Sequence, residues 1–139
     1  PIRSNYSRTF YLHHPDTLWV GTNSGLYWLH LQNYSFGQIE FSKAAPFPSI
    51  YLLFGDKKKN VWVSDNEMNS IYYHDQKKNA FILIDDKANP LFKTNITSVA
   101  EDRSGNIWIG GDAIVRWNPV ARRIDTLIEH FPTQNNFKN

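Results

Sequence analysis

The side chains best suited to chemistry in this sequence are five histidines and two pairs of adjacent carboxylates, and their spacing does not favour catalysis. The pairs Asp85-Asp86 and Glu101-Asp102 are sequence neighbours, whereas a glycosidase needs two carboxyl groups that face each other across the substrate. With no cysteine in the chain, thiolate zinc sites and a cysteine nucleophile are excluded. The histidines lack a metal-ligand pattern such as H-E-x-x-H; they are His13, His14, His30, His74 and His130. We therefore expect no metal, no cofactor and no catalytic residue in this segment.

A second group of polar residues has the donors and acceptors that bind a hydroxyl-rich ligand. These residues lie in connections of variable length, and binding residues commonly lie on variable loops carried by a fixed scaffold. The alternative for each of them is a solvated loop side chain without a ligand. The candidates are Asn23, Asp65, Asn66, Glu67, Asn69, Lys93, Asn95 and Asp112, with Phe47 and Phe92 as candidate stacking surfaces.

The elements that must position these residues repeat three times along the chain. Each repeat has a tryptophan between two apolar residues ("LWV", "VWV", "IWI"), and these markers, Trp19, Trp62 and Trp108, are 43 and 46 residues apart. Periods of this size indicate a propeller or a solenoid. Two further intervals are constant. Six residues before the markers lie His13, Asp56 and Asp102, and eleven residues after the small residues Gly25, Ser70 and Ala113 lie Phe36, Phe81 and Ile124.

Each repeat is predicted to form four short strands separated by turns. In the third repeat the strands are "NITSVAED", "NIWIG", "AIVRWN" and "RRIDTLI", with turn residues in "DRSG" and "NPVARR". Four strands at a period near 45 residues are typical of a propeller blade. The predicted fold is therefore all-β, a partial β-propeller of three four-stranded antiparallel blades in one domain over 1–139, with blades at about 8–41, 49–85 and 95–130.

The marker tryptophans are predicted to have a structural role. Apolar residues on both faces of a strand indicate a sheet that is buried on both sides, and a tryptophan ring fills the space between two such sheets. Glycines near the markers are predicted to relieve crowding, to permit a bulge or to form a turn; they are Gly21, Gly25, Gly105, Gly110 and Gly111.

Composition limits the classes of partner. The chain has 139 residues and a net charge of +2, so nucleic acid is not an expected partner. No apolar run approaches the roughly 20 residues of a membrane span, so we expect no direct membrane insertion of this segment. Aromatic residues make up 15% of the chain, which fits a β protein because rings pack well on pleated sheets.

The third repeat, "DRSGNIWIG" followed by "AIVRWNP", resembles the two-component regulator propeller repeat, whose pattern is roughly D-x-x-G-x-L-W-I-G-T and then G-L-x-x-Y-D-P. The first repeat resembles it in "LWVGTNSGLYWLH", although His13 and Asp16 replace the aspartate and glycine of the turn. The second loses the turn glycine, which Lys59 replaces. The resemblance covers the chain from about Arg8 to His130.

This resemblance implies the periplasmic sensor region of a hybrid two-component system. Such sensors are inner-membrane proteins with propellers outside and a histidine kinase, a phosphorelay and transcriptional output inside, and many sense oligosaccharides. The parts that carry kinase and output are absent from these 139 residues. The expected function is glycan sensing, with histidine kinase activity in the parent protein and none in this segment.

Three blades are fewer than the four to eight that close a ring. The expected partners are therefore the remaining blades of the parent chain, or a second copy joined through the open blade faces. Two other classes of function stay open at this point. The blades can be a scaffold for protein association without a small ligand, or they can belong to a sialidase-like or lyase-like propeller enzyme.

Overall fold

The computed structural model describes residues 6–41, 47–65, 70–84 and 95–128, and in these ranges the chain forms twelve strands in three antiparallel sheets. Each sheet consists of four strands in sequence order, which confirms the prediction of an all-β partial propeller. No helix able to cross a membrane occurs in these ranges. The strands are β1 Ser7–His14, β2 Thr17–Thr22, β3 Gly25–His30, β4 Phe36–Ile39, β5 Ile50–Gly55, β6 Val61–Asp65, β7 Ser70–Asp75, β8 Ala80–Leu83, β9 Ile96–Glu101, β10 Ile107–Gly111, β11 Ile114–Asn118 and β12 Arg123–Ile128.

The sheets pack as consecutive blades: blade 1 (β1–β4), blade 2 (β5–β8) and blade 3 (β9–β12). The first strands are neighbours, since β1 contacts β5 and β5 contacts β9. One apolar core joins blade 1 to blade 2, and a second joins blade 2 to blade 3. The first contains Trp19, Leu26, Phe41, Ile50, Val61, Val63, Tyr72 and Phe81, and the second contains Trp62, Ile71, Ile84, Ile96, Ile107, Ile109, Val115 and Trp117.

These two cores explain the apolar residues on both sides of each marker tryptophan. Successive strand residues point to opposite faces. Trp62 therefore packs into the core shared with blade 3, while Val61 and Val63 pack into the core shared with blade 1. Trp19 and Trp62 are buried, whereas Trp108 on the far face of blade 3 is half-buried.

The turns between the third and fourth strands of the three blades share a backbone conformation. The β3–β4 turn and its equivalents each place a residue with positive φ nine positions after the small residue of the repeat. These residues are Tyr34 (φ 56°), Asn79 (φ 47°) and Arg122 (φ 52°). In the β5–β6 turn Lys59 has a φ of 63°, and in the β9–β10 turn Gly105 has a φ of 82°. Lys59 thus adopts the left-handed conformation for which glycine is the usual residue.

Two of the predicted glycine roles are visible in β2 and β10. A Cβ atom on Gly21 would lie 2.5 Å from Cγ2 of Ile50 in the next blade, so this glycine permits close packing between blades. A Cβ atom on Gly111 would collide with the backbone carbonyl of Asn95, and the register of β9 and β10 shifts between Gly110 and Gly111. Gly111 therefore permits a bulge.

Candidate functional site

The loop edge, defined as the edge of the sheets that carries the β2–β3, β6–β7 and β10–β11 connections, holds the predicted ligand-binding residues that the structure describes. Asn23 and Asp112 are exposed in the β2–β3 and β10–β11 turns, and Asn95 is exposed directly before β9. The carbonyl of Asn95 lies against Gly111, so Asn95 and Asp112 lie near each other. Asn66, Glu67, Asn69, Lys93 and Phe92 lie outside the described residues. The role of the loop edge in binding stays a prediction.

Asp65 differs from these loop residues because its side chain is turned into the protein. It ends β6 and is only 1% exposed. Burial raises the pKa of Tyr72, and the nearby carboxylate of Asp65 raises it further. Phe47, the predicted stacking surface, is 40% exposed, and its Cβ would lie 3.4 Å from a Cβ atom on Gly25 in the β2–β3 turn.

The hairpin edge, defined as the opposite edge with the β1–β2 and β3–β4 turns and their equivalents, explains the six-residue interval before each marker. In blade 2, Asp56 Oδ2 accepts hydrogen bonds from Trp62 Nε1 at 3.1 Å and from Asn60 Nδ2 at 2.9 Å. In blade 3, Asp102 Oδ2 accepts the equivalent bonds from Trp108 at 3.0 Å and from Asn106 at 2.9 Å. The carboxylate thus joins the turn to the marker tryptophan near the start of the next strand.

The pKa of Asp102 follows from these bonds. Hydrogen bonds from the side chains of Asn106 and Trp108 lower the pKa of Asp102 to about 2, with further help from backbone N–H groups. Hydrogen bonds to the charged form of a carboxyl group favour that form.

Blade 1 departs from this arrangement because His13 occupies the place of the aspartate. The β1–β2 turn is shorter, with His14 paired to Thr17 and a bulge between Leu12 and His14. The ring of His13 lies beside that of Trp19, with a centroid distance of 4.5 Å. A ring contact therefore replaces the hydrogen bond of the other two blades.

This change accompanies a cavity between blades 1 and 2. The cavity has a volume of about 440 Å³, in the range of about 300–1,000 Å³ that is usual for small-molecule sites. Its wall combines aromatic rings with neutral polar groups, and Glu40 is the acidic residue among those that line it. The lining residues are His13, Thr17, Trp19, Trp28, His30, Ile39, Glu40, His74, Asn79, Ala80 and Phe81.

Burial favours the neutral form of two histidines of this cavity. Burial lowers the pKa of His13, and the nearby His14, His74 and Lys59 lower it further. Burial also lowers the pKa of His74, against the opposing effects of a hydrogen bond with Asn79 and the charge of Asp75. Within the described part of the chain, Nδ1 of each of the two rings is buried without a hydrogen-bond partner.

The equivalent cavity between blades 2 and 3 is smaller and charged. It measures about 200 Å³ and is lined by residues that include Asp56, Lys58, Glu101 and Arg122. Polar contacts between the blades occur beside it: Arg122 donates to the Tyr73 hydroxyl at 3.1 Å, and the backbone N–H of Lys57 donates to Glu101 at 2.8 Å. Of these two cavities, the one between blades 1 and 2 is therefore the larger and has fewer charged residues in its wall.

Sequence reasoning considered the histidines individually and did not find this cavity. No group of three or more potential metal ligands occurs in the described ranges. The available signal was positional. His13 replaces an aspartate that the other repeats have, and His74 stands where the other repeats have Leu29 and Trp117, four residues after the small residue.

Comparison with known families gives one match. Residues 90–113 match the model described as "Two component regulator propeller". Residues 90–113 are therefore similar to a two-component regulator propeller repeat. This match covers the turn, the marker strand and the small residue of blade 3, the repeat in which the sequence resemblance is strongest. A search of curated protein sequences found no match.

Solved propellers share the fold of this repeat protein. The extracellular domain of the putative hybrid two component system BT3049 from B. thetaiotaomicron superposes with a TM-score of 0.70 at 15% identity, over 94% of this chain and 16% of that chain. The extracellular domain of BT4673 from the same organism gives 0.69 at 24% identity, over 86% of this chain and 16% of that chain. The chain thus spans about one sixth of the length of these domains.

A propeller enzyme has the same architecture. A virginiamycin B lyase from Staphylococcus aureus, determined with quinupristin, superposes with a TM-score of 0.67 at 16% identity, over 90% of this chain and 42% of that chain. At these identities the likeness concerns the fold, because one fold carries many functions.

Proposed function

We propose that this chain is a ligand-sensing segment of the extracytoplasmic propeller of a hybrid two-component sensor, and that the ligand is an oligosaccharide. The observation that carries the proposal is the two-component regulator propeller repeat at residues 90–113, within three blades that superpose on the extracellular domains of two such systems. The segment is placed in the periplasm, and the parent protein signals to a histidine kinase, a phosphorelay and a transcriptional output.

Ligand binding at the loop edge would supply the signal. Asn23, Asn95 and Asp112 are exposed there on turns held by rigid sheets, and their amide and carboxylate groups match sugar hydroxyls. A ligand shifts a conformational equilibrium only by its difference in affinity between the two states. Packing of this segment against neighbouring parts of the sensor is therefore proposed to differ between the bound and the free protein.

The test is a phosphorylation assay on the whole protein in membrane vesicles. Autophosphorylation from ATP is followed with and without defined oligosaccharides, and a variant that lacks the phospho-acceptor histidine serves as the control. We expect one class of glycan to change the rate at least twofold. Equal rates with every glycan, in protein that still autophosphorylates, would contradict a glycan-sensing role.

A specific observation also favours association through the outer face of blade 1. Phe10 and Leu12 on β1 are 58% and 54% exposed. Both lie on the face opposite to Trp19, since Phe10 pairs with Val20 and Tyr11 pairs with Trp19. A further blade of the parent chain, or a second copy, would cover these side chains. Light scattering of the 139-residue chain across a concentration series tests this, with Leu12→Lys as the variant expected to shift any dimer to monomer.

A further inference from the structure

The cavity between blades 1 and 2 lies at the hairpin edge, away from the loop residues that the sequence nominates, and it has the parts of a binding site. His13 and Thr17 lie at the β1–β2 turn, and His74 and Asn79 lie at the end of β7 and in the β7–β8 turn. Both blades therefore contribute to the cavity, so a molecule bound there would contact the junction between them.

Trp28 provides an indole surface, which the equivalent positions of the other blades lack. It pairs with Gly37 on β4, and a Cβ atom on Gly37 would lie 2.6–2.7 Å from three atoms of the indole, Nε1, Cε2 and Cζ2. The ring therefore covers the bare backbone of Gly37. At the equivalent positions blade 2 has Tyr73 opposite Ile82, and blade 3 has Arg116 opposite Thr126. The half-buried indole of Trp28 lines the cavity.

Several polar groups around this ring can exchange hydrogen-bond partners. The Nδ1 atoms of His13 and His74 are buried and lack a hydrogen-bond partner within the described ranges. A buried polar atom without a hydrogen bond destabilises the folded protein, and a ligand that forms the bond removes this cost. Thr17 Oγ1 lies 3.5 Å from His30 Nδ1 and 3.4 Å from Asp16 Oδ1, at the long limit for such bonds. A ligand hydroxyl can replace either contact.

We propose that this cavity binds one pyranose ring of a neutral glycan. The C–H groups of a sugar carry a partial positive charge and pack against the negative face of an indole. Sugar hydroxyls both donate and accept hydrogen bonds. They can therefore pair with neutral imidazoles in either tautomer, with the Thr17 hydroxyl, and with the Asn79 amide in either orientation. The carboxylate of Glu40 disfavours an anionic sugar, so the site selects neutral pyranoses over uronic acids.

The inference rests on the proposed function for its ligand class, and it adds a second binding location at the hairpin edge, separate from the loop edge. The smaller cavity between blades 2 and 3 provides an internal comparison. Its wall contains Asp56, Lys58, Glu101 and Arg122, so charged groups there would lose water without gaining matching charges from a neutral sugar.

The test measures binding of four neutral disaccharides, cellobiose, lactose, maltose and mannobiose, to the whole protein by isothermal titration calorimetry. Sorbitol is the open-chain control and methyl glucuronide the anionic one. The variants are Trp28→Leu and, at the equivalent position of blade 2, Tyr73→Leu. We expect Trp28→Leu to weaken binding of the preferred disaccharide at least tenfold and Tyr73→Leu to change it less than twofold, with sorbitol and methyl glucuronide at least tenfold weaker than that disaccharide.

Contrary outcomes separate this inference from the proposed function. Tight disaccharide binding that is unchanged by Trp28→Leu, or equally weakened by both variants, would overturn the hairpin-edge site and leave glycan sensing intact. No binding of any disaccharide to folded protein would overturn the hairpin-edge site, and it would leave the proposed function to the phosphorylation assay with the wider set of glycans. If Trp28→Leu lowers the melting temperature so far that the protein is unfolded, His30→Ala decides the question, with an expected loss of at least threefold.

Discussion

The indole Nε1–H of Trp62 donates a hydrogen bond to Oδ2 of Asp56 across 3.1 Å, and this bond and its equivalent in blade 3 account for the six-residue interval in these two blades. The same carboxylate accepts the backbone N–H of Asn60 at 2.8 Å and its side-chain Nδ2 at 2.9 Å. One residue therefore closes the β5–β6 turn and fixes the ring that packs between blades 2 and 3.

Replacing Asp56 with alanine should destabilise the protein by about 3 kcal/mol, because it removes bonds to a charged acceptor and leaves the buried indole N–H unpaired. The matched control is Asp75→Ala, which removes bonds only to the backbone N–H groups of Lys77 and Lys78 in an exposed turn. We expect a loss of about 1 kcal/mol there. Urea unfolding followed by tryptophan fluorescence measures both, and equal losses would contradict the role of the Asp56–Trp62 bond.

Asp102 should make the free energy of unfolding depend on pH in the acidic range. Its pKa is lowered from 3.8 to about 2 in the folded protein, so its contribution is complete above pH 3.8 and is lost as the pH falls towards 2. Asp102→Asn should remove this part of the acid dependence. NMR titration of the Asp102 carboxyl group gives the pKa directly, and a value near 3.8 in folded protein would contradict the hydrogen bonds seen here.

The junction of blades 1 and 2 should tolerate no side chain at Gly55. A Cβ atom there would overlap the hydroxyl and ring of Tyr11 from blade 1. Gly55→Ala should destabilise the protein by about 1–3 kcal/mol, the usual range for overpacking. In a Tyr11→Ala background the same change should cost less, by at least about 0.5 kcal/mol. Equal costs in the two backgrounds, from urea unfolding, would show that the blades do not meet at this point.

The buried histidines should weaken the same junction in mild acid. The pKa values of His13 and His74 are lowered from 6.5, mainly by burial. Their neutral forms therefore stabilise the folded protein above pH 6.5, and this contribution is lost as the pH falls below 6.5 towards the folded pKa values. His74→Leu, which introduces the residue found at the equivalent position of blade 1, should flatten the change in melting temperature between pH 7 and pH 5. An unaltered slope would argue against a neutral, buried His74.

The sequence predicts the sheets well because both faces of every marker strand are apolar. Few structures other than a sheet buried on both sides accommodate that pattern. In the third repeat, the four predicted strands lie within about a residue of their observed limits. Blade 3 illustrates this, since "AIVRWN" was expected as a strand and Ile114–Asn118 forms one.

The cavity could not be predicted in the same way, because it depends on packing between residues distant in sequence. His13 and His74 are 61 positions apart, yet their ring centroids lie 6.4 Å apart. Strand pairing within one blade does not determine this distance, because the two rings belong to different blades. The packing of one sheet against the other sets it. Similarly, Asp65 follows a strand and suggested an exposed loop carboxylate, but its side chain is 1% exposed.

Glycan recognition is most directly tested by calorimetric titration of the whole protein with a series of defined oligosaccharides. We expect saturable binding of at least one neutral glycan with a stoichiometry near one per cavity. A folded protein that releases or absorbs no heat of binding with any oligosaccharide, at several temperatures, would contradict the assignment of this propeller segment to a carbohydrate sensor.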